Sequence, residues 1–270
     1  DLAAAILSNS RMFTRVIAWE HHHFGAQQRN FFWETLFRYS YRRLDAVVCL
    51  NKDEQTYYQT LNKRTVVIPN FTAQPLETKK ANQELQYDLL SVTRFTRTKG
   101  IDLLMETAKL VLKKQPSLRW KIIAQGALEA DFLHFIREEK LEKQLLFQAV
   151  TGNNVMEEYS NARLFVMTSR NECFPLVLLE AMSQGLPCIA FDCETGPRHI
   201  IRHGINGWLV EKENPAKMAE SIEHLLLSEG ELEDMGRAAI ELMKPYTESA
   251  VYAEWNRLFN RVLPLEKSGL

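Results

Sequence analysis

Residues 87–126, YDLLSVTRFTRTKGIDLLMETAKLVLKKQPSLRWKIIAQG, hold the unit on which the fold turns. An apolar run at 87–92 (YDLLSV) is followed by a helical pattern over 99–115 and then by a second apolar run at 120–126 (WKIIAQG). Apolar residues three and four apart mark the middle piece as an amphipathic helix, and the short flanking runs read as buried strands. Two strands joined through a helix by short links lie parallel, because a crossover of that length returns the chain to the same end of the sheet.

The alternation continues downstream. Helical patterns cover 129–140, 154–160 and 175–185, and strands are expected at QLLFQAV (144–150), RLFVMTS (163–169), PCIAF (187–191) and NGWLV (206–210). This predicts a doubly wound α/β domain, a parallel sheet with helices on both faces. Upstream, strands are expected at RVIAWE (15–20), AVVCL (46–50) and TVVIP (65–69), with a helix from about 29 to 44. The polar stretch NFTAQPLETKKANQE (70–84) has no periodicity and reads as a linker. Beyond 215 the pattern is helical, and ESAVYAEWNRLFNRVL (248–263) is amphipathic, with Tyr252, Trp255, Leu258, Phe259 and Leu263 requiring a cover. The expected division is 1–75, 76–245 and a final helix, 246–270, packed back on the first part.

With 270 residues, 46% of them hydrophobic, the chain has material for one large core or two ordinary ones. Lys and Arg number 33 against 34 Asp and Glu, so no basic excess points to nucleic acid and any charged site is local. Cys49, Cys173, Cys188 and Cys193 form no Cys-x-x-Cys pair and lie mostly in apolar segments, the pattern of reduced thiols in a cytoplasmic protein. No apolar run has the length of a membrane span, and the opening residues lack the order of a signal peptide. The chain opens at Asp1 without a Met, which reads as a processed product or a fragment.

Open parallel sheets bind ligands beyond the carboxyl ends of their strands. The loop RFTRTKG (94–100) sets Arg94, Arg97 and Lys99 ahead of a helix N-terminus near Gly100. Cations beside first-turn amides favour a phosphate, although so short a cluster also reads as solvated surface charge. A second loop is NECFPLVLLEAMSQGLP (171–187). Pro175 fits the first helical turn, which places Glu172 ahead of the helix and Glu180 inside it. A carboxylate accepts two hydrogen bonds, so two of them at different depths suit two diols with a phosphate between, as in a nucleotide-sugar. In the plainer reading Glu172 is a loop acid and Glu180 a surface position, yet Leu178, Leu179, Ala181 and Met182 leave Glu180 little polar face. No Gly-x-Gly-x-x-Gly follows a strand, which disfavours a nicotinamide oxidoreductase, and the phosphate-binding pattern ending in Gly-Lys-Ser/Thr is also absent.

Taken together, RNECFPLVLLEAMSQGLPCIA, SVTRFTRTKGIDLLMETAKLV, IPN at 68–70 and GPRHIIRHGINGWLV resemble, in order and over nearly the whole chain, the retaining glycosyltransferases of family 4, which have the GT-B fold. The resemblance implies two Rossmann-like doubly wound domains, the first N-terminally incomplete here, closing over the donor. It implies transfer, with retention, of a hexose or N-acetylhexosamine from a nucleotide-sugar, a UDP-sugar by expectation, to a glycan or lipid-linked acceptor. Synthesis of a bacterial surface polysaccharide or lipo-oligosaccharide is the implied setting, with no metal or cofactor. Arg94 and Lys99 correspond to the pair that holds the donor diphosphate. Glu172 corresponds to the acid at the transferred sugar, and Glu180 to the one that grips the ribose. Phe174, Pro175 and Leu176 match the segment lying against sugar and phosphate. Gly126 matches the second glycine of a Gly-x-Gly whose first is Ala124 here. VIAWEHHHFG resembles the strand ending in a histidine that faces the donor sugar, with His21 the best match and His22 or His23 the alternatives.

Other readings stay open. The chain also fits a nucleotide-sugar binding module without turnover, or a UDP-sugar epimerase of the same fold. His199 and His203 have metal-ligand spacing but no evident third ligand. The aromatics of QQRNFFWETLFRYSYRRLDAV fit core packing, and with Arg29, Arg38, Arg42 and Arg43 they also fit peripheral contact with the inner face of a membrane.

Overall fold

The computed structural model describes residues 15–26, 30–73, 75–76, 85–150 and 155–263. Arg29, Asn154, much of the 70–84 stretch and residues 264–270 lie outside them. The chain divides into two compact units, Asp1–Phe71 with Pro245–Leu270, and Thr72–Lys244.

In the first unit β1 (Ile17–Trp19), β2 (Ala46–Cys49) and β3 (Thr65–Val67) form a parallel sheet in that order. Side chains alternate faces along a strand. Val47 and Cys49 therefore pack with Phe37, Tyr41, Tyr58 and Leu61, while Ala46 and Val48 pack with Ile68, Val251 and Leu258. The first group draws on α1 (Phe31–Arg43) and α2 (Lys52–Gln59), each opened by an asparagine, Asn30 or Asn51, whose side chain accepts from a first-turn amide. The sequence reading missed α2, because its segment is polar and buries only Glu54 and Tyr58.

The second group draws on the last helix, α9 (Glu248–Val262). Its covered stripe is Val251, Trp255, Leu258 and Val262, the spacing of one helical face. Tyr252, Phe259 and Leu263, expected under cover, are exposed, a correction of the sequence reading by one step around the helix. Core packing likewise accounts for only part of α1: Phe37 and Tyr41 are buried, whereas Phe31, Phe32 and Tyr39 lie on the outer face.

The second unit holds β4 (Tyr87–Arg94), β5 (Trp120–Gln125), β6 (Leu145–Ala149), β7 (Ala162–Met167), β8 (Cys188–Asp192) and β9 (Gly207–Glu211). All pairs are parallel, in the order β6-β5-β4-β7-β8-β9. The connecting helices are α3 (Ile101–Lys114), α4 (Glu129–Glu138), α5 (Val155–Ser160), α6 (Leu176–Ser183), α7 (Pro215–Leu227) and α8 (Glu229–Met243). The chain winds outward from β4 to β6, returns, and winds the other way from β7, so the winding reverses between β4 and β7, where such sheets open a crevice. Ser91 fastens this junction, donating to Val166 O at 2.7 Å and accepting from Trp120 Nε1 at 3.1 Å.

Candidate functional site

The loops leaving β4 and β7 meet at the reversal point. Arg94, the last residue of β4, is exposed, and Phe95 turns inward against Phe132 and Phe147. Gly126, at the end of β5, lies against the Phe95 backbone, where a Cβ would come within 2.7 Å of Phe95 O, and its φ of +147° is one that L side chains rarely adopt. A 3-10 turn over Arg97–Lys99 then leads through Gly100 into α3. Gly100 has φ +65°, and a Cβ there would stand 2.0 Å from Thr168 O. The Thr168 hydroxyl in turn donates to Gly100 O at 3.1 Å.

Arg170, in the loop after β7, fastens the two loops together. Its backbone N–H donates to Thr98 O at 2.9 Å and its Nη1 to Arg97 O at 2.9 Å. Its guanidinium forks onto both oxygens of Asp102, at 2.6 and 2.7 Å, and its Nε reaches Glu213 at 2.9 Å. The hydrogen bonds from Arg170 hold the Asp102 carboxyl below its usual range, and Asp102 in turn raises the guanidinium further above its own. The sequence reading gave Arg170 no role: it precedes Glu172 by two residues, but its partner on α3, Asp102, is 68 positions away.

This fastening brings Lys99 and Glu172 together, with Nζ donating to Oε1 at 2.6 Å in a largely shielded pair. Gly196, with φ +88°, supports Glu172 from the loop after β8, since a Cβ there would lie 2.8 Å from the Glu172 Cβ. Beneath it the Cys193 thiol is pushed up to about 11, first by burial and then by the Glu172 charge, so it stays protonated. All four cysteines are buried thiols, none of them in a disulfide.

Helix α6 begins at Leu176, so Pro175 is its N-cap, with φ −73° and ψ 110°, one position earlier than its expected place in the first turn. The extended ψ removes Pro175 from the helix, and its carbonyl accepts from Leu178 N at 3.2 Å. Phe174 and Pro175 are buried, while Leu176 is exposed. Glu180 follows four residues into the helix, about 6 Å along its axis. One of its oxygens is occupied: the buried Tyr159 hydroxyl donates to Oε2 at 2.7 Å. Burial and then the Glu180 charge hold the Tyr159 phenol well above its ordinary value, so it acts as a donor.

His21 belongs to the other unit. It is exposed with its ring 4.2 Å from that of Trp19, and its pKa is lowered by partial burial and the neighbouring His22. The residues around it are tied down: Glu20 accepts from Tyr41 and from Tyr58, the latter at 3.2 Å, and His23 Nδ1 lies 2.6 Å from Glu54. His23 is therefore a packing residue, and His21 and His22 are the exposed pair. His203 Nδ1 accepts from Leu209 N at 3.1 Å, a loop closure. Among the described residues no group of three or more potential metal ligands gathers.

The family profile described as glycosyl transferases group 1 matches residues 74–242. An uncharacterized glycosyltransferase of Haemophilus influenzae is 30% identical over 80% of this chain and 61% of its own length. A poly(ribitol-phosphate) alpha-N-acetylglucosaminyltransferase of Staphylococcus aureus is 31% identical over 63% of this chain and 34% of its own. Among solved structures, a mutant of S. aureus TarM in complex with fondaparinux, alpha-GlcNAc-glycerol and UDP superposes with a TM-score of 0.76 at 24% identity, covering 91% of this chain and 51% of that one. Anabaena HepE in complex with UDP superposes with 0.81 at 16% identity, covering 96% and 76%. The chain thus spans less than two thirds of the length of either curated relative.

Proposed function

Because this chain belongs to the group 1 glycosyl transferases and has their α/β GT-B fold, we propose that it serves a retaining transfer of a hexose or N-acetylhexosamine from a UDP-sugar to a glycan or lipid-linked acceptor. The pairing of Lys99 with Glu172 at the reversal of the sheet carries the reading. A cation and a carboxylate held in contact match the two ends of the bond to be broken, diphosphate on one side and sugar on the other.

In this reading Lys99 turns from Glu172 to the donor's diphosphate when it binds, and Arg94 joins it. Preorganised cations stabilise charge where it develops, and this contributes most to the rate in a reaction whose leaving group is an anion. The bond between the anomeric carbon and the diphosphate oxygen breaks while the acceptor hydroxyl oxygen bonds to the same face. The hydroxyl proton passes to the departing diphosphate, so no protein nucleophile is needed. Glu172, freed from Lys99, accepts hydroxyls of the transferred sugar and steadies the positive anomeric centre. Glu180 holds the ribose through the oxygen that Tyr159 leaves open. The amides of α6's first turn face the phosphate, Phe174 and Pro175 form the wall behind it, and Gly126 lets the neighbouring loop lie close.

The relatives that act on poly(ribitol-phosphate) and in amylovoran biosynthesis support bacterial surface glycans as the setting. Phe31, Phe32 and Tyr39, exposed on α1 beside Arg38 and Arg42, support a place on the cytoplasmic face of a membrane. Among the described residues no helix is long and apolar enough to cross one. No metal or cofactor enters the proposed reaction.

Calorimetric titration with UDP, GDP and ADP, without metal and repeated on Arg94→Ala, tests the donor site. Selective binding of UDP that the variant loses is expected, and failure to bind any nucleotide overturns the reading. A donor that binds and is never turned over identifies a binding module instead.

A further inference from the structure

At the other end of the first unit's sheet, where its parallel strands begin, lies a cavity of about 230 Å³ lined by Arg15, Asp45, Arg64 and Arg261 together with Ala46, Leu258 and Val262. The topology brings these residues together. Arg15 comes two positions before β1, Asp45 immediately before β2 and Arg64 immediately before β3, while Arg261 sits in the last turn of α9. Three guanidiniums and one carboxylate from distant parts of the chain thus line one cavity. The Asp45 side chain is buried and accepts from Val16 N at 2.9 Å, while Arg15 Nη1 and Arg64 Nη1 stand 3.5 and 3.9 Å from it. Among the described lining residues Asp45 is the one carboxylate, and it neutralises one of the three cations at most, which leaves a local excess of about two positive charges.

The donors are also incompletely used. A guanidinium offers five N–H groups in a flat fork. Among the described residues Arg15 and Arg64 spend only Nη1, and Arg261 makes no hydrogen bond or ion pair. The terminal carbonyls of α9 favour a cation in its last turn, which accounts for an arginine at 261. Opposite the cations, Ala46, Leu258 and Val262 present an apolar wall suited to the carbon chain of an ester.

We propose that this cavity is a second anion site of the protein, taking a phosphate ester whose doubly charged head lies among Arg15, Arg64 and Arg261 and whose carbon chain lies on Leu258 and Val262. Guanidinium forks match phosphate oxygens in pairs, and a dianion meets the excess charge. The site lies at the amino ends of the strands, away from the carboxyl ends where sheets of this kind bind the ligands of their reactions. It therefore holds a phosphate group that is not consumed.

The test is calorimetric titration of the full chain with sn-glycerol 3-phosphate and inorganic phosphate, alongside flotation with vesicles containing phosphatidic acid. The variants are Arg261→Gln, Arg261→Lys and Lys99→Ala. Saturable binding that weakens about tenfold in Arg261→Gln, recovers in part in Arg261→Lys and survives in Lys99→Ala is expected. Among the described residues Arg261 makes no hydrogen bond or ion pair, so its variants are expected to leave the fold intact, which far-ultraviolet circular dichroism checks. Vesicle binding with the same dependence on residue 261, in place of the soluble ester, names a lipid headgroup as the source of the phosphate and supports the same site. The proposal is overturned by binding that ignores Arg261→Gln, by binding lost in Lys99→Ala, or by no binding to esters or vesicles. Because Lys99→Ala separates this cavity from the reversal-point site, either can fail without the other.

Discussion

The Cα of Gly100 lies so close under Thr168 that a Cβ would stand 2.0 Å from the Thr168 carbonyl oxygen. Two loops from strands far apart in sequence are thereby pressed backbone to backbone, and Lys99 and Glu172 flank that contact. Gly100→Ala must strain φ and push the loops apart. The conformation alone costs about 1–3 kcal/mol, with the clash added. The expected outcome is a lower midpoint in urea and a weaker nucleotide affinity; an unchanged midpoint would disprove the contact.

Arg170→Met removes the fork on Asp102 and the bonds to Arg97 and Glu213. A displacement of the reacting groups by about 1 Å can cost about a hundredfold in rate, so kcat is expected to fall tenfold or more while KM for the donor changes less. Arg170→Lys should recover little, because an ammonium cannot make the paired contact. Full activity in the lysine variant would refute the positioning role.

Asp102 supplies a pH test of the same contact. Its folded pKa is depressed by Arg170, so its contribution is fully present above the ordinary carboxylate value of about 4 and is lost as pH falls through the lower folded value. Wild type should lose more stability than Arg170→Met between pH 6 and pH 3. Half-exposure of Asp102 keeps the difference small, and parallel urea titrations in the two proteins measure it.

Tyr159→Phe deletes the hydroxyl on Glu180 without changing the ring's shape. Hydrogen bonds to charged groups contribute about 1.5–3 kcal/mol, so nucleotide affinity is expected to drop by roughly ten- to a hundredfold with kcat nearly unchanged. An unaltered Kd for UDP would show that Glu180 needs no such partner.

Substituting the two acids separates their parts. Glu180→Ala is expected to weaken nucleotide binding, and Glu172→Ala to slow transfer while binding persists. Glu172→Ala also frees Lys99, so its affinity for UDP is expected to hold or rise. Equal, negligible effects in both variants would remove them from the site.

Much of the second unit was legible because its strands and helices announce themselves locally: YDLLSV and WKIIAQG became β4 and β5 within two residues of their expected ends. The site was legible only so far as its residues lie in those loops. Glu180 looked misplaced on an apolar helix, and its partner Tyr159 sits on another helix 21 residues earlier. Arg170 and Gly196 are ordinary in sequence and acquire roles only when sheet order places three loops together. Periodicity identifies a buried face without fixing its angle to better than one residue, which is how the covered stripe of α9 was misjudged. A short polar helix such as α2 carries almost no periodic signal and was missed for that reason.

The position of β7 also constrains how the protein is made. Of the six strands in this sheet, β4, β5 and β6 emerge from the ribosome first and can pair among themselves, but the inner edge of β4 stays open until residues 162–167 arrive to fill it. For that interval a half-sheet presents bare amides and apolar Leu89 and Leu90 to its surroundings. An unpaired edge of this kind recruits other strands. Synthesis that stalls before β7 should therefore yield aggregates rather than a smaller folded domain.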